Sequence, residues 1–318
     1  MKKLITIISM TIIGSSVIAQ DKLAGEAAKL TAPKTKVETT DSTNWDLGGA
    51  FNINLTQVGL KNWAGGGQSS ISFGSLLNLR ANYENKKSTW VNSLDLSYGV
   101  AQVGGKEKLF KKTDDQIILV SRYGYKIAKK WSAAALLDFR TQMAPGYVYA
   151  TDATTKAGEL KAGLISEALA PAYTLIAAGF EYNKDKKFYA LISPIAGKIT
   201  IVANDNLASI GAFGVDPGEN LRTEFGSLIK AGVNFKELAE NVSFGSNVTL
   251  FQSYASIGHV DVNWETLTVF KVNKYLSTTF STLLVYDDDI LIAGENGARA
   301  KPRVQFKEAL NIGFLVKF

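Results

Sequence analysis

The chain has 318 residues, a formal charge of +6, 46% apolar and 20% charged residues, and no cysteine. That composition excludes general disorder, a disulfide framework and a thiolate metal site. The single histidine, His259, excludes chemistry that needs two imidazoles, and basic residues interspersed with acidic ones leave no nucleic-acid footprint.

The chain opens with Met1-Lys2-Lys3, an apolar run from Leu4 to Ile18, and Ala19-Gln20. A positive start, an apolar stretch and small residues at Val17 and Ala19 read as a secretory leader over 1–19, cleaved after Ala19. The apolar run is about 15 residues, short of the roughly 20 that a spanning helix needs. Removing Lys2 and Lys3 takes the charge from +6 to +4. Residues 20–43 are polar and aperiodic and read as a flexible periplasmic tail.

From residue 44 to 318 the pattern changes to a period of two. Trp45, Leu47, Gly49, Phe51, Ile53 and Leu55 alternate with Asp46, Gly48, Ala50, Asn52, Asn54 and Thr56. Ile71, Phe73, Leu77, Leu79, Ala81 and Tyr83 share one face of the next segment, opposite Ser72, Gly74, Asn78, Arg80 and Asn82. Alternation over such lengths predicts strands with one apolar and one polar face. Further strands are expected at 89–103, 115–127, 131–142, 168–182, 187–202, 222–235, 241–255, 261–272, 275–286 and 303–318. Pro171 and Pro194 interrupt two of them and weaken those assignments. The last strand alternates Leu310, Ile312, Phe314, Val316 and Phe318 with Asn311, Gly313, Leu315 and Lys317, and an apolar strand closing on Phe resembles the terminal strand of bacterial outer-membrane barrels.

The connections alternate in length. Short ones fall at 84–88, 128–130, 183–186, 236–240 and 273–274; longer ones at 57–68, 104–114, 143–167, 203–221 and 287–302, with 256–260 the exception. Short periplasmic turns and long outer loops characterise transmembrane barrels. Aromatic residues mark the strand ends beside the short turns: Trp45, Tyr83, Trp90, Tyr125, Trp131, Tyr182, Phe188, Phe235, Phe270, Tyr275 and Phe318, with Phe244 slightly deeper. This is the girdle expected at a membrane interface. The expected fold is all-β: a closed antiparallel transmembrane barrel of about twelve strands with a polar lumen. It would lie in the outer membrane with both termini periplasmic.

The expected register turns Arg80, Asp95, Arg122, Asp138, Arg140, Glu181, Arg222, Glu224, Lys230, Glu265 and Lys307 into the lumen. Two readings follow: a salt-bridged interior that stiffens the barrel, or a pore with mixed-charge walls for small polar solutes. Asp287-Asp288-Asp289 offers hard oxygen ligands but lacks the EF-hand spacing, so no metal site is assigned. His259 with Ser256 and Asp261 does not make a catalytic grouping by proximity alone. Gly65-Gly66-Gly67 after Asn62-Trp63 lacks the Lys-Ser/Thr and helix of a phosphate loop; Asn62 and Trp63 remain candidates for loop contacts. No enzyme activity and no cofactor is expected.

Thr56-Gln57, Leu60, Asn62-Trp63-Ala64 and the following glycines resemble the start of a Bacteroidota family known as a domain of unknown function. Lys112-Thr113-Asp114-Asp115, Pro145-Gly146-Tyr147, Ala170-Pro171-Ala172-Tyr173 and Tyr286 to Asp289 look like its later landmarks, so the resemblance spans about 44–318. It implies an outer-membrane setting and supplies no catalytic residue. The expected partners are outer-membrane lipid, periplasmic chaperones and barrel-assembly machinery during biogenesis, and an outer-membrane protein partner if the barrel is an accessory subunit of a larger complex.

Overall fold

The computed structural model describes residues 44–61, 68–184, 187–273, 276–289, 291–292 and 301–317, and no side chains at 50, 291–292, 307 or 309–317. The expected leader and tail, Asn62, Trp63, Gly65 to Gly67, Tyr275, Phe318 and the Lys307 side chain lie outside the described residues.

Twelve long strands carry the fold: β1 (Trp45–Val58), β2 (Ser70–Glu84), β3 (Ser88–Val103), β4 (Lys111–Lys126), β5 (Trp131–Thr141), β8 (Ala172–Lys184), β9 (Phe188–Ile201), β10 (Leu221–Ala239), β11 (Val242–Ser253), β12 (Val260–Lys271), β13 (Leu276–Tyr286) and β16 (Gln305–Lys317). Each pairs antiparallel with its neighbour, and the order closes where Ala50–Ile53 of β1 meets Phe314–Lys317 of β16. Closure pairs the backbone groups that an open edge would leave bare, as a β structure in hydrocarbon requires.

The total is sixteen strands among the described residues rather than about twelve. Residues 143–167, expected as a plain loop, hold a hairpin of β6 (Gly146–Thr151) and β7 (Glu159–Ser166). The loop 287–302 holds β14 (Leu291–Ile292) and β15 (Lys301–Pro302). The loop 203–221 holds a short helix, α1 (Asp205–Ser209), whose Asn204 cap accepts from the Leu207 N–H at 3.0 Å. The strand expected from 168 begins at Ala172, after a turn through a cis Ala170–Pro171 bond.

Pro194 stays inside β9 because the strand bulges there. Ile195 pairs with Ala178 and Ile192 with Phe180, so the ladder steps past the proline. The same step appears on the other side, where Ala196 meets Gly226 and Ser193 meets Leu228. Ser193 Oγ donates to the carbonyls of Ala178 at 2.7 Å and Ile195 at 2.6 Å, satisfying acceptors that the bulge strands. Close backbone approach beside the bulge demands glycine: a Cβ at Gly179 would lie 2.1 Å from the Ile192 carbonyl oxygen, and one at Gly226 would lie 2.0 Å from that of Gln252.

The ring is apolar outside. Leu47, Ile53 and Leu55 of β1, Phe73 of β2, Ile176 and Phe180 of β8, Ile192 of β9, Ile229 of β10, Trp264 of β12 and Phe306 of β16 are all exposed. A water-soluble protein does not display so continuous an apolar belt. At the short-turn end the rings touch: Trp45 lies 5.3 Å from Tyr83 and 5.8 Å from Trp90, and Trp131 lies 5.2 Å from Tyr182, centroid to centroid. Trp90 Nε1 donates to Ser121 Oγ at 2.9 Å, which gives the indole a polar partner while its ring body faces outward. Among the described residues no helix is long and apolar enough to cross a membrane.

Candidate functional site

The barrel interior gathers the chemistry, because alternation sends every second residue inward. Asp95, Asp138, Glu181, Lys230 and Glu265 are buried, as the sequence pattern requires of inward positions. Asp138 is a hub. Its two oxygens accept from Arg140 Nε at 2.7 Å and Nη2 at 3.0 Å, and Oδ2 also meets Lys230 Nζ at 3.3 Å. Arg140 Nη1 reaches Glu265 at 3.9 Å. Strands β5 and β12, which carry that last pair, are separated in the ring by β8, β9, β10 and β11. The contact therefore crosses the lumen rather than running along its wall. Arg122 Nη1 pairs with Glu181 at 2.9 Å, and its guanidinium lies over the Tyr189 ring at 4.8 Å.

A polar lumen is only half of the picture. Ala134, Leu136, Ala177, Leu191, Ala196, Leu228 and Phe251 form one buried apolar cluster inside the ring, with Val120 and Leu175 against it. Leu267, Val269 and Leu283 form a second. Ile118 and Leu191 have no exposed surface at all. Side chains thus fill the space along β4 to β13 as in an ordinary protein core. On β1 the inward positions are small or polar: Gly48, Asn52 and Asn54 are half-buried.

A second charged group sits at the long-loop end. Lys198 Nζ meets Asp261 at 2.7 Å, Asp287 at 2.9 Å and Glu224 at 3.6 Å. Arg222 Nη2 meets Asp289 at 2.5 Å and Glu224 at 3.4 Å. Arg222 Nη1 also donates to the Gly214 carbonyl at 2.8 Å. That contact holds the loop 202–220, whose own small core joins Ala170, Val202, Leu207, Ala208 and Val215, to an inward-facing strand residue. The hairpin β6–β7 is tied down similarly. Lys112 Nζ meets Asp115 at 2.8 Å, Gln142 Oε1 at 2.9 Å and the Ala144 carbonyl at 2.6 Å, while Asp115 accepts from the Met143 and Ala144 N–H groups. The hydrogen bond from Lys111, together with one from the Leu109 N–H, holds the Glu159 carboxyl below the usual range.

Sequence reasoning missed Lys198. The signal is the bulge: Tyr189, Leu191 and Ser193 face inward before Pro194, and Ala196, Lys198 and Thr200 after it, so simple alternation assigns Lys198 to the wrong face. The acidic run 287–289 is not a free solvated cluster, since Asp287 goes to Lys198, Asp288 to His259 and Tyr286, and Asp289 to Arg222. The His259 hydrogen bond, then that of Tyr286, holds the Asp288 carboxyl below its ordinary range. Asp261 is engaged by Lys198 while His259 turns to Asp288, so Ser256, His259 and Asp261 do not converge. Among the described residues no group of three or more His, Cys, Asp or Glu side chains is arranged to hold a metal ion.

Among solved structures, the chain is similar to the COG4313 outer membrane channel from Pseudomonas putida F1, with 12% identity over 90% of this chain and 100% of that one and a TM-score of 0.38. The translocator domain of autotransporter NalP from Neisseria meningitidis matches at 12% identity over 96% and 100%, TM-score 0.35. The NanC porin matches at 8% identity over 86% and 98%, TM-score 0.34. No curated protein matches. The family described as "Protein of unknown function (DUF3078)" matches residues 55–147, a stretch that contains the Thr56-Gln57 and Asn62-Trp63-Ala64 elements and runs from the last residues of β1 into β6.

Proposed function

We propose that this chain is a non-catalytic β-barrel of a Bacteroidota outer membrane and acts as a narrow channel for small polar solutes. The observation that carries the reading is the unequal filling of the interior. The apolar belt and the aromatic turn end support the membrane setting, with the short turns and both termini on the periplasmic side. Along β4 to β13 the lumen is packed, whereas the inward face of β1 offers Gly48, Asn52 and Asn54 half-buried. Flooding the packed part would bring Ile118, Leu136, Leu191, Leu228 and Leu267 back to water. At about 1.5–3 kcal/mol each, that costs on the order of 10 kcal/mol, so the passage does not widen spontaneously. A wide open porin is therefore not the expectation; a slender polar path beside β1 is.

Purified protein in planar bilayers is expected to give small discrete conductance steps, and liposomes carrying it are expected to admit glycine-sized solutes but exclude trisaccharides. Silent bilayers from protein whose folding is verified by heat-modifiable migration would refute the channel. The second reading would then stand: an accessory barrel of an outer-membrane assembly, favoured by the cross-lumen Arg140–Glu265 contact and the packed interior. Its check is reproducible crosslinking of a partner through the β6–β7 hairpin in native membranes.

A further inference from the structure

The interior cations differ in one respect. Arg122, Arg140, Lys198, Arg222 and Lys230 each pair with a carboxylate. Arg80, inward on β2, makes no ion pair or hydrogen bond among the described residues, and its Nε is buried without a partner. An arginine left so in a part-buried place forfeits several charge-assisted hydrogen bonds. Its position is nevertheless fixed by the fold. Arg80 stands directly opposite Gly48 of β1, and a Cβ at 48 would lie 2.8 Å from Nη2 and 3.0 Å from Nε. The guanidinium therefore occupies the space that a side chain at 48 would take, beside the half-buried face of β1. Two positions further along the same inward face, Asn82 Oδ1 is also buried without a partner. A donor and an acceptor, both unsatisfied, thus occupy neighbouring inward sites, about 7 Å apart along the strand at about 3.4 Å per residue.

We propose that Arg80 and Asn82 form a binding subsite for a small oxyanion that also carries a hydroxyl, as phosphate does. The guanidinium fork matches two oxygens of such a group, and Asn82 Oδ1 accepts from its O–H. This deepens the channel reading by naming the solute class, and it rests on that reading for its physiological meaning. The site itself is testable without conduction.

The experiment measures inorganic phosphate binding to the full-length protein in detergent by ³¹P relaxation, alongside reversal potentials in a salt gradient. Wild type is expected to bind phosphate and to favour anions. R80Q is expected to lose at least about tenfold in affinity and to drop the anion preference. G48A keeps the charge but displaces the guanidinium from its seat, and is expected to weaken phosphate binding as well; heat-modifiable migration verifies that each variant folds. Phosphate relaxation that is the same in wild type and R80Q overturns the subsite, even if conductance steps persist and the channel reading stands. Silent bilayers with Arg80-dependent phosphate binding have the opposite meaning: the channel reading falls and the subsite remains.

Discussion

Leu228→Ala tests whether the interior is dry. Leu228 is inward on β10, only 1% exposed, and shares a cluster with Leu191 and Phe251 of the adjoining strands β9 and β11 and with Leu136 of β5, which does not adjoin β10. If that space is a packed core, truncation removes buried methyl groups and leaves a cavity, which costs 2–5 kcal/mol in such sites, here about 3 kcal/mol. That is roughly a hundredfold in the unfolding equilibrium. If instead Leu228 lined a water-filled lumen, water would occupy the vacated space and the loss would fall below about 1 kcal/mol. The neighbouring Ile229, which faces outward and is 45% exposed, supplies the control on the outer face. The assay is reversible guanidinium unfolding in lipid vesicles, followed by tryptophan fluorescence, with wild type, Leu228→Ala and Ile229→Ala compared at matched slopes. A Leu228→Ala effect under about 1 kcal/mol refutes the packed interior and with it the claim that the passage is confined to the β1 side.

Other predictions follow from the same structure. Asp138→Asn leaves Arg140 and Lys230 without their shared carboxylate, and should destabilise the barrel by about 3–5 kcal/mol, as breaking one side of a buried pair does; the same unfolding assay reads it, and a neutral result contradicts the hub. Gly226→Ala places a methyl 2.0 Å from the Gln252 carbonyl oxygen and should abolish folding to the heat-modifiable form, whereas Gly197→Ala, whose nearest contact is 3.9 Å away, should fold. The Asp288 carboxyl is depressed by His259 and Tyr286, so its loop contact is fully present above the ordinary carboxylate pKa of about 3.9 and is lost as pH falls through the lower folded value. Pepsin cleavage beside Tyr286 should therefore rise below about pH 4. In His259→Ala the rise should begin at higher pH, and identical profiles would contradict the pairing.

Much of the barrel was legible because a two-residue period is a local signal: each of the twelve ring strands overlaps an alternating stretch. The inward placement of Asp95, Asp138, Glu181, Lys230 and Glu265 followed from the same parity. What parity cannot carry is partnership across the lumen. Asp138 and Lys230 are 92 residues apart, and Lys198 and Asp287 are 89 apart, so only the closed ring brings them together. Nor does a polar and apolar alternation disclose that inward Leu191, Leu228 and Phe251 sit among the charges, because a mixed inward face reads like noise in the pattern. The β6–β7 hairpin escaped notice for a related reason. Its strands form a sheet separate from the ring and present no regular apolar face, as exposed Val148 beside exposed Ala150 and Lys161 illustrates.

The bulge at Pro194 sets a reading frame for half a strand. Inserting one residue just after the bulge would leave 188–193 in register and turn everything beyond it inside out, sending Lys198 toward the outer face and Ile199 toward the charged interior, whereas deleting Pro194 would restore plain alternation and keep Lys198 inward. A lysine moved to the lipid face costs about 2–4 kcal/mol at mid-bilayer depth, and Asp261, Asp287 and Glu224 would lose the cation that binds them together. The facing of the strand therefore survives many exchanges of side chain and even loss of the extra residue, but not an added one at that point. Both halves of β9 pair with β8 and β10, and the bulge absorbs the extra residue so that each half keeps its inward face.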